Sequence, residues 1–112
     1  MLNIGEKVFI ITRRAFDSEL RRHFVGEIQD VNQLSIRVRG YAFVFDEAVS
    51  DFVRHDDMRV RIFSIIDAAN VIHVIPRDTT IENIRYLFEK NQRYINDGIA
   101  FKMNISEFGI NR

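Results

Sequence analysis

Residues 24 to 45, Phe24-Val25-Gly26-Glu27-Ile28-Gln29-Asp30-Val31-Asn32-Gln33-Leu34-Ser35-Ile36-Arg37-Val38-Arg39-Gly40-Tyr41-Ala42-Phe43-Val44-Phe45, carry the pattern that decides the fold. Phe24, Gly26 and Ile28 alternate with Val25, Glu27 and Gln29, and after a polar break the alternation resumes with Leu34, Ile36 and Val38. Successive side chains of a strand point to opposite faces, so this reads as two antiparallel arms joined by a turn at Asn32-Gln33. The second arm is long, 34–45, and Gly40 in its middle is where a strand bends sharply or admits a close backbone. By parity, Leu34, Ile36, Val38, Ala42 and Val44 face one way, and Arg37, Arg39, Tyr41, Phe43 and Phe45 the other.

The surrounding sequence leans the same way. Sixteen Ile, ten Phe and three Tyr favour a pleated surface, and helix-favouring Ala and Lys are sparse. Upstream, 7–12 (Lys7-Val8-Phe9-Ile10-Ile11-Thr12) is an apolar run that suits a strand buried on both faces. Residues 14–24 read either as a short amphipathic helix, since Phe16, Leu20 and Phe24 recur every fourth residue and Asp17 precedes Arg21 by four, or as a loop turning at Asp17-Ser18. Downstream, 46–57 is acid-rich and reads as a loop with a short helix spaced on Ala48, Val49, Phe52 and Val53. Strands follow at 58–66 and 71–75, joined as a hairpin through Asp67-Ala68-Ala69-Asn70 and stopped by Pro76.

The last third is ambiguous. Thr79-Thr80-Ile81-Glu82 has capping-box spacing ahead of a helical face of Ile81, Ile84, Leu87 and Phe88. The same stretch alternates as Ile84, Tyr86, Phe88 before a turn at 89–92, and the strand reading is preferred. Asp97-Gly98 is the strongest hairpin signal in the chain, followed by alternation of Phe101, Met103 and Ile105.

At 112 residues the length fits one domain, and 46% hydrophobic with 29% charged residues fits a chain that folds unaided. Sixteen basic residues balance sixteen acidic ones, so there is no basic footprint. There is no Cys for a disulfide or thiolate site, and neither an apolar run of membrane-spanning length nor a signal-peptide stretch at the start of the sequence, so no membrane partner and a cytoplasmic setting are expected.

Catalytic signatures are missing. His23, His55 and His73 are scattered, no Ser sits in a nucleophile elbow, and the glycines stand singly rather than in a phosphate loop. His55-Asp56-Asp57 offers oxygens to a cation but reads better as a polar turn, so neither metal nor cofactor is expected, and a non-enzymatic binding module is. Arginine use is more informative: thirteen Arg against three Lys points to a need for planar, five-donor groups. Arg37-Val38-Arg39 and Arg59-Val60-Arg61 each set two guanidinium groups on one strand face, a ladder suited to phosphates or carboxylates.

Two families are resembled. Arg39-Gly40-Tyr41-Ala42-Phe43-Val44-Phe45-Asp46 resembles the longer signature of the RNA-recognition motif in its first six positions, with Asp46 where that family has an aromatic residue. Val8-Phe9-Ile10 resembles the start of its shorter motif. The resemblance implies an α+β ferredoxin-like fold in which Phe9, Tyr41 and Phe43 stack on bases of single-stranded RNA and Arg39 contacts its backbone; with Arg37 of the arginine ladder, these five are the expected RNA-binding residues. The other resemblance, carried by 24–31, the tight turn, 34–38 and the strands at 62–66 and 71–75, is to SH3-like and Sm-like small barrels. It implies a mainly β barrel of about five strands over residues 5–76, with 77–112 added as a C-terminal hairpin, and is the preferred fold. On that fold Tyr41, Phe43 and Phe45 have a second explanation, a core layer beneath Phe101, Met103 and Ile105. Single-stranded RNA and, as the alternative, a protein partner or homo-oligomer are the expected ligands.

Overall fold

The computed structural model of the chain describes residues 1–16, 18–99 and 101–106. Among these, nine strands account for almost all regular structure: β1 (Lys7–Thr12), β2 (Arg22–Val31), β3 (Ser35–Asp46), β4 (Asp51–Arg54), β5 (Arg59–Ser64), β6 (Asn70–Ile75), β7 (Arg85–Glu89), β8 (Gln92–Asn96) and β9 (Lys102–Asn104). One 3-10 turn, Ile81–Asn83, is the sole helical element among them, so the fold is mainly β and the α+β alternative is not the observed architecture. No helix of the described residues is long and apolar enough to cross a membrane.

Asn32 locks the expected hairpin. Its side-chain Oδ1 accepts hydrogen bonds from the Leu34 and Ser35 backbone N–H groups at 2.8 and 2.9 Å, which closes the chain between β2 and β3. The register shifts by one residue between Ile28 and Asp30, and beyond that irregularity the two arms reach the Gly26–Gly40 pair, where the backbones approach so closely that a side chain has no room. Of the two roles open to Gly40, a bend or a close backbone, the structure shows the close approach, with a matching glycine across the ladder.

Six strands form one antiparallel sheet in the order β4-β3-β2-β1-β6, with β5 pairing beside β4 along the free flank of β3. Its two faces hold two cores. On one face Val8, Ile10, Phe24, Ile28, Ile36, Val38 and Ala42 cluster, and Phe63 of β5 and Ile72 of β6 both pack on them, so the sheet curls around this core. On the other face Phe9, Ile11, Val25, Phe43, Phe52 and Ile75 meet Ile84, Ile95 and Ile105 beneath a second sheet, β7-β8-β9.

Several expectations need correction. The curled sheet does not close into a barrel, because among the described residues β5 pairs only with β3 and β6 only with β1. The segment 65–69 is consequently not a hairpin turn. The described residues of 14–24 form no helix: β2 already begins at Arg22 and puts Phe24 into the core, while Phe16 and Leu20 stay exposed. Asp17, on which the expected pair with Arg21 and the rival turn depended, lies outside the described residues. In place of a short helix, 46–57 contains β4, held because Phe52 pairs with Phe45 of β3. The C-terminal hairpin is a three-stranded sheet: Lys90 and Asn91, at φ 52° and 59°, make the tight turn between β7 and β8, and the Asp97 carboxylate accepts the Ile99 and Phe101 N–H groups between β8 and β9. Thr80 precedes the 3-10 turn without a side-chain cap, so the capping-box spacing yields three residues and no helix.

Candidate functional site

The face of β3 that carries Arg37, Arg39, Tyr41, Phe43 and Phe45 is divided in two by the second sheet. Its Tyr41, Phe43 and Phe45 half lies under that sheet, together with Phe9 of β1. Phe9 is 0% and Phe43 3% exposed, so neither ring offers a face to a base. Tyr41 and Phe45 are partly buried in the same cluster, where Phe101, Met103 and Ile105 also pack, as the core-layer explanation required. Tyr41 lies 5.0 Å from the Arg54 guanidinium, and Arg21 sits on the Phe45 ring at 3.8 Å.

An aromatic stack that crosses between the sheets fills this region. His23 stacks on Phe52 at 4.0 Å, Phe52 stacks on Tyr86 at 4.9 Å, and His23 Nδ1 is hydrogen bonded to the Tyr86 hydroxyl at 2.6 Å. Burial pushes the Tyr86 phenol well above its ordinary pKa, with the Asp51 carboxylate adding to the rise and Arg93 opposing it. Arg93 is itself buried among the rings of Phe45, Phe52 and Phe88; its Nε and Nη1 form no hydrogen bond, and Nε lies 3.9 Å from Asp51. At the mouth, a cleft of about 350 Å³ is lined by Asp51, Arg54, Asp56, Arg85 and Tyr86. Its arginines are already committed: Arg54 donates to the Glu82 carbonyl at 2.5 Å and Arg85 to the Ile84 carbonyl at 3.0 Å. His55, Asp56 and Asp57 are all exposed, and no group of three metal-ligating side chains comes together among the described residues.

Arg37 and Arg39, the other half of the β3 face, lie beyond the second sheet and are exposed. In register they stand between Asp30 and Glu27 of β2 on one side and Ile62 and Val60 of β5 on the other. The structure thus separates the five residues expected to act together: two are core, one is half-covered, and two arginines remain on an open surface.

That surface continues onto β5, whose outer edge pairs with no other strand among the described residues. Val60 and Ile62 are 56% and 64% exposed on the face shared with Arg37 and Arg39. A hollow of about 220 Å³ between Arg37, Ile62, Ser35 and Asp30 lies on this side. Arg59 and Arg61 occupy the opposite face of β5, opposite Gly40 and Val38. Arg59 Nε donates to Asp57 at 2.9 Å, a bond that holds the Asp57 carboxyl below its ordinary pKa. Arg61 lies 5.7 Å from the Phe24 ring; burial, then the charges of Arg59 and Arg22, pull its pKa down, and Asp57 partly offsets them.

The comparisons with known proteins return no match, whether to a protein-family model, to a curated protein or to a solved structure.

Arg59, Val60 and Arg61 were visible in the sequence as a strand setting two guanidinium groups on one face. What the sequence did not disclose is that the run forms a sheet edge. For His23, Phe52, Tyr86 and Arg93 no local signal exists, because their contacts join strands from opposite ends of the chain.

Proposed function

We propose that this chain is a non-enzymatic protein-interaction module that takes up an extended segment of another protein along the open edge of β5. The observation that carries the reading is the edge of β5, which pairs with no other strand among the described residues and is capped at its last residue by the Asn70 side chain donating to the Ser64 carbonyl at 3.0 Å, with Val60 and Ile62 exposed on one face. A free edge presents a row of backbone donors and acceptors, and adding a strand satisfies them while side-chain hollows supply selectivity. The other free edges suit this less well. β4 and β9 have four and three residues, β7 ties Glu89 across to Lys102, and β6 exposes Val74 as its single large apolar side chain.

A single-stranded RNA ligand is supported less by the geometry, because base stacking needs open rings and Phe9 and Phe43 are closed. Arg37 and Arg39 keep a place in the proposed surface, flanking the apolar side of the edge. The SH3-like reading of residues 5–76 is supported by five antiparallel strands, β1, β2, β3, β5 and β6, curling around one core.

The test is an anisotropy titration with a labelled octapeptide of alternating Thr and Val, against the parent and against Val60→Lys/Ile62→Lys. Both side chains are exposed, so the variant keeps the parent's unfolding temperature while binding falls by about tenfold or more. Equal binding by the two proteins would remove β5 as the docking edge.

A further inference from the structure

The β5 edge differs on its two faces, and that difference specifies its partner. One face is apolar, with Val60 and Ile62. The other carries Arg59 and Arg61, with Arg22 close enough to lower the Arg61 pKa further. Among the described residues Asp57, bonded to Arg59, is the one carboxylate engaged by any of Arg22, Arg59 and Arg61. We propose that the β5 edge selects an extended segment in which apolar and acidic residues alternate, the apolar side chains lying beside Val60 and Ile62 and the carboxylates beside Arg59 and Arg61. This rests on the strand-addition reading above and adds the chemistry of the partner.

The geometry follows from the pleat. A strand added to β5 sends alternate side chains to opposite faces, and cross-strand neighbours have Cβ atoms about 4.5–5.5 Å apart. Along Arg59–Ile62 the added residues therefore meet a guanidinium and a β-branched side chain in turn, and Phe63 and Ser64 continue the two faces to the end of β5. Arg37 and Arg39 stand two strand spacings from the incoming chain, about 10 Å, so they frame the apolar side without opposing it directly. Glu27 and Asp30 lie on the far side of those arginines, across β3 from the edge.

A second copy of the chain fits poorly. Antiparallel pairing of β5 with itself brings Arg59 and Arg61 of both copies onto one face, and like charges placed opposite one another destabilise a ladder. Single-stranded RNA would satisfy the arginines but leave Val60 and Ile62 and the backbone edge without partners.

The experiment uses the full chain and four labelled probes: an octapeptide alternating Glu and Val, one alternating Gln and Val, one with four Glu followed by four Val, and a ten-nucleotide single-stranded RNA. The alternating Glu-Val peptide is expected to bind about tenfold more tightly than Gln-Val near 50 mM salt, with an advantage that shrinks as salt rises to about 500 mM. Arg59→Gln/Arg61→Gln is expected to erase that advantage and leave Gln-Val binding unchanged. Equal binding of Glu-Val and Gln-Val would overturn the acidic partner while strand addition stands. Binding of neither would remove strand addition and this inference together. If the block peptide binds as well as the alternating one, the attraction is unpatterned charge and the inference is wrong. It is equally wrong if the RNA binds more tightly than Glu-Val and loses that binding in the arginine variant.

Discussion

Replacing Gly40 by Ala tests the point on which the sheet geometry depends. Gly40 in β3 lies opposite Gly26 in β2, and a Cβ added to it would stand 2.6 Å from the Gly26 Cα and 2.8 Å from the Val25 carbonyl carbon, with the carbonyl oxygen closer still. All three obstacles are backbone, which cannot rotate aside as a flexible side chain would, so the two strands must part at this pair. Overpacking costs about 1–3 kcal/mol, and each ladder hydrogen bond lost with it adds about 1 kcal/mol. The smaller entropy of the unfolded alanine chain returns about 0.4–1 kcal/mol. The net loss is about 2–4 kcal/mol, a large share of the roughly 5–15 kcal/mol that stabilises a typical domain. Gly98→Ala is the matched control, because a Cβ there meets nothing within 4 Å and the change costs only the strain of φ +79°, about 1–2 kcal/mol. Urea unfolding followed by circular dichroism measures both, and with a slope of about 1.5 kcal/mol/M the Gly40→Ala midpoint should fall by roughly 1–3 M. A Gly40→Ala protein no less stable than Gly98→Ala would refute the close approach of β2 and β3.

Three further outcomes follow from the buried stack. The folded-state pKa of Tyr86 lies above its unfolded value, so its contribution to stability is complete below about pH 10 and is lost as pH rises through the folded pKa. Alkaline titration at 295 nm should accordingly show one phenol ionising only with unfolding, and Tyr86→Phe should remove that late phase; an unchanged titration in the variant contradicts the assignment. Tyr86→Phe also takes away the hydrogen-bond partner of His23 Nδ1 and should cost about 1–2 kcal/mol by urea unfolding, against no loss if the contact is unimportant. Arg93→Met exchanges a buried, incompletely bonded guanidinium for an apolar chain of similar length, and should leave stability within about 1 kcal/mol of the parent or raise it, whereas Arg93→Ala opens a cavity costing about 2–4 kcal/mol. Equal losses in the two variants would mean that the charge itself is needed.

The parts of the fold legible in the sequence are those set by local pattern. β1, the β2–β3 hairpin and the turn at Asn32 follow from alternation and from one side chain that can close a turn, and Gly40 signals the tight approach because no other residue fits it. The illegible parts depend on partners remote in sequence. β4 is short and lies in the acid-rich stretch 46–57, and it becomes a strand because Phe52 finds Phe45 on β3. The fourth-residue spacing of Phe16, Leu20 and Phe24 suggests a helix, yet the larger gain comes from burying Phe24 in the sheet. Whether Phe9 and Phe43 stack on a ligand or on the protein is likewise undetermined by their own segment, since the second sheet that covers them begins at Arg85. Arg37 and Arg39 were found by pattern and lie on an open surface; the edge beside them exists because β5 and β6 do not pair.

Amide hydrogen exchange of the full chain, with and without the alternating Glu-Val peptide at saturating concentration, tests strand addition at β5 most directly. Peptide is expected to slow exchange at the outward-facing amides of Arg59–Ser64 and to leave the edges of β4, β6, β7 and β9 unchanged. Slowing at another edge, or none at β5 when the peptide is bound, would contradict the account.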